Sequence, residues 1–130
     1  MKIKMIPLAY LCMIMMLISG CGNRQQNAKE IEGTYTGTMP CADCSGIYTE
    51  ITLADGKYTL KQVYQGVRSD MEDTFVESGN YSWDDNRKIV TLGDDPTDRY
   101  EAGNNELVAL DMDGNKITGE LAHLYVLKKR

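Results

Sequence analysis

Two thiols and a thioether carry the chemistry this chain could perform. The run Met39-Pro40-Cys41-Ala42-Asp43-Cys44-Ser45-Gly46 sets Cys41 and Cys44 three positions apart, with Met39 two positions before the first. Sulfurs at this spacing can meet, and they serve three chemistries: a disulfide, thiol–disulfide exchange, or soft-metal capture. As a disulfide the pair closes a very small loop. The entropy model then gives about 2 kcal/mol, enough to rigidify a corner but not to hold a domain together. For exchange, a second thiol resolves the mixed disulfide. Exchange sites of the Cys-x-x-Cys kind, however, place the first cysteine at a helix N-terminus, where the dipole favours thiolate. Here Ser45-Gly46 leads into a strand pattern, and Asp43 between the sulfurs opposes ionisation. For metal, thiolates with a thioether select Cu(I) over hard cations, so Cys41 and Cys44 are the candidate ligands and Met39 a possible third. Met-x-Cys-x-x-Cys is also the spacing of cytosolic copper-transfer loops, which sit on a helix-containing fold. Two ligands leave a tetrahedral zinc shell half empty. The sole histidine, His123, lies near Leu121, Tyr125 and Leu127 and reads as a strand residue packed at a rim.

The choice among these chemistries depends on compartment, which a third cysteine indicates. Lys2 and Lys4 are followed by an apolar run from Met5 to Ile18, interrupted at Pro7, and then by Ser19-Gly20-Cys21. A basic start, a short apolar core and small residues before the cut are the parts of an export signal. Small residues directly before a cysteine mark a bacterial lipoprotein signal, with cleavage before Cys21 and acylation (palmitate among the chains) of its thiol. The apolar run is short for a membrane span, which needs about 20 residues. Two or more acyl chains anchor stably, whereas one is marginal. Gly22 rather than Asp follows the cysteine, which by the habit of enteric bacteria directs the protein to the outer membrane, facing the periplasm. Exported thiols meet oxidants, and an even pair there usually ends bonded.

Removing residues 1–20 changes the composition. Of the 8 methionines, only Met39, Met71 and Met112 stay, so the raw count is no argument for a methionine-rich copper protein. The 14 basic residues less Lys2 and Lys4 leave 12 against 19 acidic ones, a net charge of −7. Such a domain gains nothing from phosphate backbones, so nucleic acid is excluded as a partner. It also has no electrostatic reason to adhere to anionic lipid apart from an anchor. The expected organisation is a signal peptide at 1–20, the acylated cysteine with a polar tether at 21–31, and one domain at 32–130.

No long helical period follows Cys21. Turn signals recur every eight to twelve residues or so, the pattern of an all-β sandwich or barrel. Ile47, Thr49, Ile51 and Leu53 alternate with Tyr48, Glu50 and Thr52, and Asp55-Gly56 leads into a second alternating run from Tyr58 to Tyr64. Asp-Gly between such runs is a strong hairpin signal. Further strands are expected at 33–39, 80–83, 88–92, 99–102, 106–111, 116–118 and 124–129, with 66–78 read as loop or irregular strand. Short connections make consecutive strands antiparallel neighbours. About eight of them can close, which removes raw edges. The predicted fold is a small antiparallel up-and-down barrel, with a sandwich as the alternative.

With these residues in view, the chain resembles the N-terminal domain of the NlpE copper-resistance lipoprotein family. The resemblance rests on Gly33-Thr-Tyr35-Thr-Gly37, Pro40-Cys41-Ala42-Asp43-Cys44-Ser45-Gly46, Asp55-Gly56, Gly79-Asn-Tyr81-Ser-Trp83, Asp113-Gly114 and Tyr125-Val-Leu127. Met39 stands where the family usually has leucine. The resemblance implies a lipocalin-like barrel, an outer-membrane lipid anchor, no enzymatic activity, no required cofactor beyond possible copper, and a role in sensing envelope stress, surface contact or copper. It also implies an envelope signalling protein as partner. Better-known members carry a second barrel with its own cysteine pair, which has no counterpart before Arg130. Two other functions remain open from the residues: Cu(I) binding at Cys41 and Cys44, and carriage of a small apolar ligand inside the barrel. The carrier reading requires that Ile51, Leu60, Val90 and Leu110 line space rather than fill it. No nucleophile–histidine pattern or phosphate loop is present in the sequence.

Overall fold

The computed structural model describes residues 29–66 and 73–130. Eight strands form one closed antiparallel barrel in sequential order. They are β1 (Gly33–Met39), β2 (Gly46–Ala54), β3 (Lys57–Gln65), β4 (Asp73–Asp84), β5 (Ile89–Leu92), β6 (Arg99–Gly103), β7 (Glu106–Ala109) and β8 (Val126–Lys129). The up-and-down barrel read from turn spacing is therefore the observed fold. The expected signal peptide, Cys21 and the tether up to residue 28 lie outside the described residues. Among the described residues, no helix is long and apolar enough to cross a membrane.

Alternation builds the interior. On β2, Thr49 and Ile51 are fully buried and Leu53 nearly so, while Tyr48, Glu50 and Thr52 face outward. Antiparallel register carries that inner face around the wall: Tyr35 sits opposite Ile51, Ile51 opposite Leu60, Val90 opposite Tyr100, and Leu107 opposite Leu127. These side chains form one apolar cluster, joined by Ile31 from the segment before β1. Ile31 plugs the rim where the chain enters, and its carbonyl accepts a hydrogen bond from the Tyr35 hydroxyl at 2.8 Å. Ile31 thus packs with the barrel interior although it precedes β1.

Closure depends on β1. It pairs with β2 over seven residues, from Gly33 opposite Leu53 to Met39 opposite Ile47, and with β8 at only two, Tyr35 opposite Lys129 and Thr36 opposite Lys128. Gly37 permits this second contact. A Cβ there would stand 2.8 Å from the Val126 carbonyl oxygen and 3.0 Å from Leu127 Cδ2. The Asp55-Gly56 hairpin is as read, with both residues at positive φ (52° and 75°).

Several expectations are corrected. Of the segment 66–78, read as loop or irregular strand, Asp73 to Ser78 is strand, the first half of β4. Residues 116–118 do not form a strand and contribute a single bridge, Leu110 with Lys116. His123 is not a strand residue. It lies exposed in a 3-10 turn, Ala122–Leu124, and β8 starts only at Val126.

β4 is long and forks the wall. Its second half pairs with β5, Tyr81 opposite Leu92 through Asp84 opposite Ile89, and a last rung runs from Gly93 N–H to the Asn80 carbonyl at 2.8 Å. Before Asn80, β4 pairs with β3 alone. The Tyr58 phenol fills the crotch of this fork: a Cβ on Gly79 would meet its oxygen at 3.3 Å and one on Gly93 at 3.2 Å. Its hydroxyl donates to Glu77 Oε1 at 2.5 Å. That hydrogen bond, aided by burial, pushes the phenol pKa up to about 12. Burial raises the Asp98 carboxyl above its ordinary value, and the charges of Glu77 and Asp95 add to this against a hydrogen bond with Tyr100. Burial, followed by Asp98, raises Tyr100 in turn.

Two outcomes follow from this geometry. Gly37→Val should lose about 2–4 kcal/mol of unfolding free energy through overpacking and loss of closure, measured by urea denaturation. A wild-type midpoint would contradict the close approach. Asp98 is harder to ionise folded than unfolded, so its share of stability is fully present at acid pH. That share falls as pH rises from the unfolded carboxylate value toward the raised folded one. Asp98→Asn should flatten that fall, and parallel stability–pH curves for variant and wild type would refute the assignment.

Candidate functional site

The sulfur loop sits at the rim opposite Ile31. Pro40 ends β1, and the chain turns through Cys41–Ser45 into β2. Cys41 and Cys44 are bonded, with Cα atoms 5.3 Å apart, inside the range disulfides adopt. Cys44 Sγ lies 3.4 Å from the Gly46 carbonyl oxygen. Bonded sulfur has no proton, so this is a packing contact rather than a hydrogen bond. Ser45 N–H donates to the Gln65 carbonyl at 2.8 Å, tying the loop to the end of β3. A Cβ on Gly66 would come within 2.1 Å of Ser45 Oγ, so the two loops approach closely.

The structure brings together two of the four residues considered for metal. Met39 follows the inward alternation of β1 and, half-buried, packs against the core. His123 is exposed on the 3-10 turn. In the bonded state the cysteines offer no thiolate, the form that binds soft metals. Among the described residues, no three of His, Cys, Asp and Glu converge.

The interior is filled by side chains. Ile51, Leu60 and Val90, at 0%, 5% and 0% exposure, belong to the packed apolar cluster, and Leu110 is buried at 8% beyond the end of β7. A cavity of about 360 Å³ lies instead at the N-terminal rim, bounded by Ile31, Tyr35, Trp83, Lys88, Ala102 and Asn104. The Lys88 ammonium stands 5.8 Å from the centre of the Trp83 ring, and Lys129 is the same distance from that of Tyr35. Lys88 also pairs with Asp85 at 3.0 Å. The Trp83 indole N–H is buried without a partner. Sequence reading missed this cavity because its walls come from four separated segments. The only signal was Trp83, the one tryptophan of the chain.

Cross-linking so short a loop constrains the unfolded chain little. Reduction, or the double change Cys41→Ser with Cys44→Ser, should therefore cost about 2 kcal/mol or less and leave the barrel intact. Urea curves and far-UV circular dichroism with and without dithiothreitol check this. Loss of the β signal on reduction would show a larger structural role.

The fold has counterparts among known proteins. The family model for the NlpE N-terminal domain matches residues 35–120. Lipoprotein NlpE of Escherichia coli strain K12 is 27% identical over 128 residues, covering 90% of this chain and 54% of the relative. A crystal structure of a protein from Shewanella oneidensis matches at TM-score 0.70 and 43% identity, over 84% of this chain and 97% of its own. The crystal structure of the Cpx pathway activator NlpE from Escherichia coli matches at TM-score 0.56 and 29% identity, over 69% of this chain and 47% of its own. The chain spans about half the length of the Escherichia coli relative. With two thirds of its residues inside the matched span, this chain belongs to the NlpE N-terminal domain family.

Proposed function

We propose that this protein is a non-enzymatic lipoprotein of the bacterial envelope, held by acyl chains on Cys21, that reports envelope stress, surface contact or copper to a signalling protein. The observation that carries the reading is the pairing of an NlpE-family barrel with a leader ending in Ser19-Gly20-Cys21. The packed interior supports a scaffold role over a carrier role, since the central positions are filled by the chain's own side chains. Outer-membrane delivery, facing the periplasm, is the finer reading and rests on Gly22. Copper tolerance fits a sensor that raises defences without holding the metal.

A second reading, Cu(I) capture by the reduced Cys41–Cys44 pair, is supported by the juxtaposition of the two sulfurs. Mass spectrometry of protein isolated from the envelope separates the two. A deficit of two hydrogens with no metal supports the structural disulfide, and bound copper on the reduced chain supports capture.

Metabolic labelling with a palmitate analogue tests the anchor. Wild type should label and sediment with membranes, and Cys21→Ala should do neither. Labelling of the variant, or an unprocessed wild-type chain in the cytosol, would defeat the proposal.

A further inference from the structure

The fork in the wall leaves a sheet edge whose polar backbone groups can be assigned one by one. Tyr81 N–H donates to the Gly56 carbonyl, which marks 56 and 81 as a hydrogen-bonded pair. In an antiparallel ladder such pairs alternate with non-bonded ones. Gly79, Glu77, Phe75 and Asp73 therefore turn their backbone groups toward β3, opposite Tyr58, Leu60, Gln62 and Tyr64. Asn80, Ser78, Val76 and Thr74 turn theirs the other way. Asn80 confirms the phase, since its carbonyl receives Gly93 N–H from the β5 side. After that rung, the outward N–H and C=O groups of Ser78, Val76 and Thr74 have no backbone partner among the described residues.

The side chains of this segment are equally open. Asp73 through Ser78 are all exposed, with Phe75 at 49% and Val76 at 60%. Natural sheets blunt such edges with proline, lysine or a covering element, and this one carries none of these on the strand itself. Its inner side is strongly negative. Glu77 and Asp73 share the face of Tyr58, and Asp94, Asp95 and Asp98 stand across the fork, close enough to act on Tyr58 or on one another. The outer side differs: Lys61 lies opposite Val76 and adds one cation there.

We propose that the outer edge of β4 from Thr74 to Ser78 takes up an extended, basic segment of a partner protein as an added strand. Three residues with free outward groups can support up to about six main-chain hydrogen bonds to alternate residues of such a segment, the mode of strand addition. Lysine or arginine at alternate positions would face Glu77 and the Asp94–Asp98 turn, and apolar residues between them would lie beside Val76. A second copy of this chain is a poor occupant, because pairing two β4 edges would set two acidic flanks against each other. The surface needs neither the lipid anchor nor copper, so it stands apart from the functional reading above.

The test uses a soluble form of the chain lacking residues 1–21, because the described core starts at Ile31. The probe is an acetylated, amidated heptapeptide alternating lysine with valine and threonine. Its control is the same peptide N-methylated at alternate residues, with identical charge but no edge donors. Saturating peptide should slow amide exchange of Thr74, Val76 and Ser78 by at least roughly tenfold and leave the already paired Phe75 and Glu77 unchanged. The control should not protect them. Val76→Pro removes an outward donor and leaves the bonds of β4 to β3 in place, so the barrel should stay folded while peptide affinity falls roughly tenfold or more. Equal binding of the methylated control, unaltered affinity of Val76→Pro, or protection elsewhere on the acidic surface would overturn the proposal. Concentration-dependent protection of the same three amides without peptide would assign the edge to a second copy and overturn it as well.

Discussion

The barrel depends on one strand being shared. β1 closes the wall that β4 and β5 join on the other side, and its contact with β8 is two residue pairs long, with one further hydrogen bond from Arg130 N–H to the Thr34 carbonyl at 2.9 Å. Every other feature assumes that contact. The apolar cluster is enclosed because β8 brings Leu127 beneath β1, and the N-terminal rim is capped because Tyr35, held in that seam, reaches back to Ile31. A side chain at Gly37 would press on the Val126 carbonyl, so closure in this short chain is a matter of tenths of an ångström of backbone spacing.

The second constraint is asymmetry. β1 to β3 are seven to nine residues long and β4 twelve, whereas β5 to β8 have four or five. A wall built from unequal halves cannot be flush at both rims. The surplus length appears at one end as the sulfur loop, the ends of β3 and β4, and the fork around Tyr58. The short half is completed by irregular chain: the Gly93–Asp98 turn, and the Asp111 corner, where one carboxylate accepts from the N–H groups of Asp113 and Asn115 at 2.9 and 2.8 Å. Chemistry and exposed apolar surface therefore gather at the far rim, while packing dominates the middle.

Legibility in the sequence followed burial. β2 and β3 could be read because one face is mostly apolar and the other polar, and because Asp55-Gly56 adopts the positive φ its residues favour. The first half of β4 could not, since both of its faces are solvated and no period of two survives in Asp73-Thr-Phe-Val-Glu-Ser78. The strand read at 116–118 failed for the opposite reason. Asp113-Gly114 makes a genuine corner, but the residues after Lys116 have no partner strand to pair with, and Gly119 ends the run. The spacing of Cys41 and Cys44 showed that the sulfurs could meet, and it left the oxidation state to the structure. The packing of Met39 against the core depends on the phase of β1, and the cavity beside Trp83 on four segments converging, so neither was available from local pattern.

The placement of Ile31 has a mechanical meaning. Tension arriving through Lys29 meets the plug before it meets any strand. The plug is held by its apolar contacts, by the Tyr35 hydroxyl on its carbonyl, and by the Lys129 ammonium 3.4 Å from the carbonyl of Glu30. Once it yields, the load passes to β1, which must slide against seven pairs on one flank and only two on the other. The seam with β8 is thus the shorter flank, extended by one hydrogen bond from Arg130 N–H to the Thr34 carbonyl at 2.9 Å, and force applied at Lys29 bears on it before it reaches the Cys41–Cys44 loop at the other end.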